Sequence, residues 1–283
     1  MQPISRPSEP ARDSTEPRLR ARTFTSMGTV VSLAVPAPPE AAAQPVGDEL
    51  EAATAVVERL FNGLDRTFSL YRPDSEASAM ARGELALADA SADMRRLYVE
   101  ASEWRTLTEG AFTAERPDGV VDLAGIVKAH AIREAGTSLL ALGLQDWCLN
   151  AGGDVLVHGS PIPGGTRSWL AGIVDPDDRT SLLTAFPLGN PGKRALATSG
   201  TSERGHHIWT VGLQSELTAG YRQVSVAAAD IITADVLATA IMAGGARTLT
   251  LATARWDVDV LVVKNDGGLL ATPGFRRPPA QSG

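Results

Sequence analysis

Helical and strand periodicities alternate along this chain without the even strand–helix–strand spacing of a doubly wound parallel sheet. That excludes most parallel architectures and predicts an α+β or mixed α/β class, in one domain. Residues 23–36 (TFTSMGTVVSLAVP) are β-branched and end at Pro36, predicting a strand, and an Ala/Pro-rich loop follows over 37–46. From Asp48 the apolar residues Leu50, Ala53, Val56, Val57, Leu60 and Leu64 recur at three and four, predicting a helix. A second helix is expected over 92–108. A third should begin near Asp122–Gly125 and run to Leu142, closed by Gly143. Residues 146–157 predict a strand broken by a Gly-Gly bend, and 168–175, 222–229 and 257–263 predict further strands. Between the last two, Thr233 is placed to cap a helix through about Ala243, with Gly244 and Gly245 as its stop.

Composition narrows the function classes. Of 283 residues, 43% are hydrophobic and 21% charged, an ordinary globular balance. The 26 basic against 33 acidic residues give a net charge of −7, with no long Lys/Arg run. Nucleic acid or an anionic membrane is therefore a poor fit as the main partner. Cys148 is the single cysteine, which excludes an intramolecular disulfide and any multi-cysteine zinc or iron–sulfur site, and its strand-like surroundings read as core. Residues 1–22 are rich in Pro, Ser, Arg and Glu and lack the apolar centre of a standard secretory signal, so they read as a disordered tail. Residues 276–283 read as a second tail, leaving 23–275 as the folded domain. No stretch of about 20 apolar residues stands out, so no transmembrane helix is expected, and the cytoplasm is the expected compartment.

Three segments carry candidate chemistry. In VDLAGIVKAHA (121–131), Asp122 precedes small residues and a helix start, where exposed N–H groups and the helix dipole favour phosphate or a metal–phosphate pair. An amphipathic helix with Ile126, Ala129, Ile132 and Leu139 on the core side accounts for the same residues. In TADVLATAIMAGG (233–245), Asp235 and Thr239 stand four apart, placing both oxygens on one helical face where they could share a hard cation such as Mg²⁺. A dipole-favoured Asp and a packed Thr are the plain alternative. In ALATSGTSERGHHIW (195–209), Thr198, Ser199, Gly200, Thr201 and Ser202 could cradle a polar ligand, and His206 or His207 could act as a base or be structural. LYRPDSEASA (70–79) and NAGGD (150–154) add a turn and paired glycines, and neither is a Walker A loop or a G-x-G-x-x-G fingerprint.

The order of these segments is the specific feature. MGT (27–29), YRPDSE (71–76), TEGAF (108–112), VDLAGIVKA (121–129), NAGGD (150–154), ATSG (197–200), HI (207–208) and ADVLAT (234–239) follow one another, and the chain from about 23 to 275 resembles the ApbE family of FAD:protein FMN transferases. The resemblance implies one α+β domain of mixed or antiparallel β-sheets flanked by helices. It implies Mg²⁺-dependent transfer of FMN from FAD to a Thr or Ser hydroxyl of an acceptor protein, with release of AMP. It further implies that Met27, Tyr71, Ala111, Phe112, Thr113, Asp122, Lys128 and Ile208 contact FAD. By the same likeness Asp235, Thr239 and a backbone carbonyl at Gly125 hold the metal, and His207 is the candidate catalytic base. Three departures stand out: the family's K-G-Y is Lys128-Ala129-His130 here, the Asp that often follows its G-A-F is Thr113, and its H-I-x-D-P-x-T-G is replaced from Trp209 onward by WTVGLQ. The same site would serve hydrolysis of FAD to FMN and AMP, with water in place of the acceptor. A flavin-binding relative without chemistry is the reading from a different class.

Overall fold

The computed structural model describes residues 18–37, 47–189, 192–200 and 220–276. Residues 1–17 of the expected N-terminal tail, 277–283 of the C-terminal one, most of the 37–46 loop, and Thr201, Ser202, His206, His207 and Ile208 lie outside the described residues. The first expected strand is in fact two. β1 (Leu19–Ser26) and β2 (Thr29–Pro36) pair antiparallel, joined through Met27 and Gly28, both at positive φ (51° and 69°). Such a two-residue turn matches the twist of the flanking strands, but it normally advertises itself as Asn-Gly, so Met-Gly conceals it. β1 also starts at Leu19, within the stretch that composition assigned to the tail, because Leu19 finds a ladder partner in Pro36.

The remaining strands are β3 (Trp147–Ala151), β4 (Asp154–His158), β5 (Trp169–Val174), β6 (Leu182–Leu188), β7 (Ala195–Gly200), β8 (Tyr221–Ala228), β9 (Asp259–Lys264) and β10 (Leu269–Ala271). Eight of the ten described strands form one sheet in the order β1-β2-β3-β4-β7-β8-β9-β10, every neighbouring pair antiparallel, and β5–β6 form a separate hairpin. The helices are α1 (Asp48–Phe68), α2 (Glu76–Ala81), α3 (Ala92–Leu107), α4 (Ala124–Ala141), α5 (Ile231–Arg255) and the short α6 (Pro273–Arg276). The expected α+β class holds, as do α1, α3, α4 and the Gly152–Gly153 bend between β3 and β4.

The layering follows from the two-residue period of a strand. Leu156 of β4, Ala195 and Ala197 of β7, Val226 of β8 and Val260 of β9 enter the large core beneath α1, α4 and α5. Their immediate neighbours Val155, Leu196, Ala227 and Leu261 face the opposite way, into a second core closed by Trp169, Ile173, Phe186 and Leu188 of the β5–β6 hairpin. The central strands are thus covered on both faces. α4 packs so tightly that a Cβ on Gly136 would lie 2.9 Å from Trp147 Cη2 and 3.1 Å from Leu156 Cδ2.

α5 departs from expectation at both ends. Asp230, not Thr233, is its cap, its side chain accepting from Thr233 N at 3.0 Å. Gly245, at φ 62°, kinks the helix rather than ending it, and the chain stays helical to Arg255. The resulting helix is long and apolar enough to cross a membrane by length and composition, contrary to the sequence expectation. Its apolar residues Val236, Leu237, Ile241 and several alanines are buried in the core instead.

Candidate functional site

Alternate turns of an antiparallel sheet fall at the same end, and three signature segments of this chain, MGT, NAGGD and ATSG, collect at one such end. The Met27–Gly28 turn and the Gly152–Gly153 turn abut: Gly152 N donates to Val30 O at 3.1 Å, and a Cβ on Gly152 would strike Thr29 Oγ1. Gly153 N donates to Asn150 Oδ1 at 3.0 Å, fixing the bend that launches β4 at Asp154. β7 runs out at the same end through Thr198, Ser199 and Gly200. Met27 holds a left-handed conformation, which costs a non-glycine residue free energy, and its side chain is partly buried against the large core.

Asp154 is the residue that sequence reading missed. It is fully buried, its Oδ2 forms an ion pair with Lys128 Nζ of α4, and its Oδ1 accepts from Thr198 N at 3.1 Å. One carboxylate therefore joins α4, β4 and β7. The signal available was a charged residue heading the otherwise apolar run Val155-Leu156-Val157, where only a partnered carboxylate could be buried. Lys128, expected to contact FAD, is itself buried with its ammonium engaged by Asp154.

The start of α4 is braced by the loop that follows α3. Asp122 Oδ1 accepts from Ala124 N at 3.0 Å, satisfying one N–H of the first turn, and Asp122 N donates to Ala114 O at 2.7 Å. Phe112 is buried with its ring edge against Gly125, where a Cβ would lie 3.2 Å from Cε2. Ala111 meets α5, its Cβ 3.0 Å from where one on Gly244 would stand. Thr113 Oγ1 accepts from Glu115 N at 3.1 Å. Gly125 is thus linked to α5 through Phe112 and Ala111, and Thr239 stands about 7.5 Å along the helix axis from Gly244 at 1.5 Å per residue.

Asp235 is buried and Thr239 half-buried on α5, and Thr239 Oγ1 lies 3.1 Å from Ser199 Oγ of β7. Among the described residues no three His, Cys, Asp or Glu side chains come together as a ligand set. One carboxylate with a threonine hydroxyl is a hard, oxygen-only donor pair. It suits Mg²⁺ sharing its shell with phosphate oxygens and water, and it does not suit a structural zinc. The structure joins Thr239 to Ser199, and Ser199 follows Thr198, which Asp154 and Lys128 hold in place.

Other candidates take simpler roles. Ser75 caps α2 by accepting from Ser78 N at 2.9 Å, and Glu76 accepts from Ser91 Oγ at 2.8 Å at the start of α3. Tyr71 presents its ring on the surface, 83% exposed, between α1 and α2. Burial pushes the Cys148 thiol up to about 12, consistent with a core residue rather than a nucleophile.

A model of the ApbE family matches residues 27–115 and 113–262. The FAD:protein FMN transferase of Rhodobacter capsulatus is 32% identical over 179 residues, 60% of this chain and 33% of that protein, so the match spans about a third of the curated relative's length. Among solved structures, the flavin transferase ApbE from Vibrio cholerae shares 20% identity at a TM-score of 0.70, covering 92% of this chain and 99% of that one. The ApbE protein from Thermotoga maritima shares 20% identity at a TM-score of 0.72, covering 92% and 98%. Those two likenesses carry the fold, and the family match runs across both halves of the sheet and through every described signature segment. The chain belongs to the ApbE family.

Proposed function

We propose that this protein is a Mg²⁺-dependent FAD:protein FMN transferase that moves FMN from FAD onto a Thr or Ser hydroxyl of an acceptor protein and releases AMP. The observation that carries the reading is the buried Asp235 with Thr239 one turn along α5, set against the Ser199 hydroxyl at the end of the sheet where the family segments gather. The name of the Rhodobacter capsulatus relative supports the choice of reaction.

In this reading Asp235 and Thr239 hold the cation, with a carbonyl at Gly125 as the third protein ligand. The cation supplies charge neutralisation at the pyrophosphate oxygens. The FAD diphosphate lies toward the start of α4, where first-turn N–H groups and the helix dipole favour phosphate. Met27, Tyr71, Ala111, Phe112, Thr113, Asp122, Lys128 and Ile208 line the FAD cleft. The acceptor oxygen attacks the FMN phosphorus, and the bond from that phosphorus to the oxygen bridging toward AMP breaks. That electron pair leaves with AMP, and the acceptor proton passes to His207.

Purified protein, FAD, Mg²⁺ and an acceptor domain bearing a Ser/Thr target would be combined, with covalent flavin read by in-gel fluorescence and mass, and AMP by chromatography. Labelled acceptor with matching AMP, lost on EDTA treatment and in Asp235→Asn, is the expected result. AMP without labelling would replace transfer by hydrolysis, and bound but unchanged FAD would replace both by flavin binding alone, the reading that the altered segment after His207 favours. Undiminished labelling in Asp235→Asn would overturn the cation assignment.

A further inference from the structure

Threonine hydroxyls inside helices usually turn back on their own backbone, and six of those in this chain do so. Thr54, Thr67, Thr106, Thr137, Thr250 and Thr253 each donate to the carbonyl four residues earlier. Thr239 is paired differently: its Oγ1 meets Ser199 Oγ across the helix–sheet boundary at 3.1 Å. Ser199 is not free to drift. Its β7 neighbour Thr198 is held on the main chain by Asp154 and through its own hydroxyl by Ser225 Oγ at 2.8 Å, and Ser199 itself is in register with Val224 of β8.

A hydroxyl carries one proton and two lone pairs, so it can face a cation only if its proton is directed elsewhere. We propose that Ser199 is a positioning residue for the cation: its Oγ accepts the Thr239 proton and leaves a Thr239 lone pair facing the ion held with Asp235. The inference rests on the cation reading above and adds to it a residue from the sheet. Without Ser199, the Thr239 hydroxyl regains the backbone carbonyl of Asp235 as the nearest acceptor in its own helix, and its lone pairs rotate with it.

The test uses the full chain with Mn²⁺ alone as probe, free Mn²⁺ being counted by electron paramagnetic resonance in wild type, Ser199→Ala, Ser199→Thr and Asp235→Asn. The expected result is a Kd for Mn²⁺ raised about tenfold in Ser199→Ala, in the range usual for partners that orient a metal ligand. Ser199→Thr, which keeps the Oγ, should restore affinity, and metal-free melting should be unchanged in both. Lost binding in Asp235→Asn with wild-type affinity in Ser199→Ala would overturn the positioning role and leave the cation reading standing. Wild-type protein that binds no Mn²⁺, or an Asp235→Asn variant that binds it normally, would overturn both. A Ser199→Ala variant that melts earlier without metal at unchanged Kd would make the contact merely structural.

Discussion

Replacing Lys128 with Met removes an ammonium whose partner carboxylate is entirely cut off from water. Asp154 Oδ1 keeps Thr198 N, but Oδ2 loses its counter-ion in a place where water cannot substitute. Breaking one side of a buried pair costs about 3–5 kcal/mol. For a chain of this size each kcal/mol moves the melting temperature by about 2–4 °C, so Lys128→Met should melt roughly 6–20 °C earlier. Asp154→Asn should also destabilise, because its amide keeps an acceptor for Thr198 N yet points N–H groups at an ammonium. The double variant Lys128→Met/Asp154→Asn removes both charges, and its loss should fall short of the sum of the single losses by about 0.5–3 kcal/mol. Denaturant unfolding of the four proteins at pH 7, without FAD, measures the cycle. Single losses under about 1 kcal/mol, or strictly additive ones, would refute a stabilising pair. A weakened FAD affinity at unchanged stability would instead make Lys128 chiefly a ligand contact, as the family resemblance implies.

Two further outcomes follow from the helices. His130 is fully buried on α4, with Nε2 2.7 Å from Glu134 Oε1 and 3.2 Å from Arg96 Nη2, and Nδ1 2.9 Å from Arg133 Nη2. Burial lowers its pKa, Glu134 and Glu100 oppose that, and Arg133 and Arg96 reinforce it. A folded pKa below the unfolded value near 6.5 means the unfolded chain takes the proton first, so stability is complete above about pH 6.5 and declines as pH falls toward the folded value. The drop in urea midpoint from pH 7.5 to 5.5 should therefore shrink in His130→Gln, and equal drops would remove His130 as the cause. Gly136→Ala should cost about 1–3 kcal/mol by overpacking against Trp147 and Leu156, read as an earlier denaturation midpoint with a shift in Trp emission. An unchanged midpoint would mean that α4 can move off the sheet at no cost.

Sequence periodicity exposed the elements whose burial is one-sided. α1 has a clear stripe, and Leu50, Ala53 and Val57 are indeed buried. The β3–β4 bend was visible in its paired glycines, and the start of α4 in Asp122 and the small residues after it. The β1–β2 turn was not visible, because Met at a left-handed position is paid for by surroundings that a local reading does not include. β7 was read as a hydroxyl-rich cradle rather than a strand: its Ala-Leu-Ala half is buried on both faces, so it shows no alternation. The site was legible one side chain at a time. Asp235 and Thr239 fall four apart on one helix as the spacing predicts, whereas Ser199 and Asp154 come near Thr239 and Thr198 only through the order of strands in the sheet, which no local pattern encodes.

The apolarity of α5 and the chemistry of Thr239 have one cause. A serine and a threonine are short side chains, and their oxygens can come within 3.1 Å across a helix–sheet boundary only where the helix lies close to the strand. Buried alanines are frequent along α5 (Ala234, Ala238, Ala240 and Ala243), and short side chains of this kind let a helix lie close to its neighbours. The matching surface is small as well: Ala195 and Ala197 precede Ser199 on the same face of β7, and Ala228 ends β8 in the same core. Small residues bury little area each, so the helix must be long and almost uniformly apolar to remain anchored. That length and uniformity are what give α5 the profile of a membrane span. The same run of small residues is compatible with the close approach at which Thr239 meets Ser199.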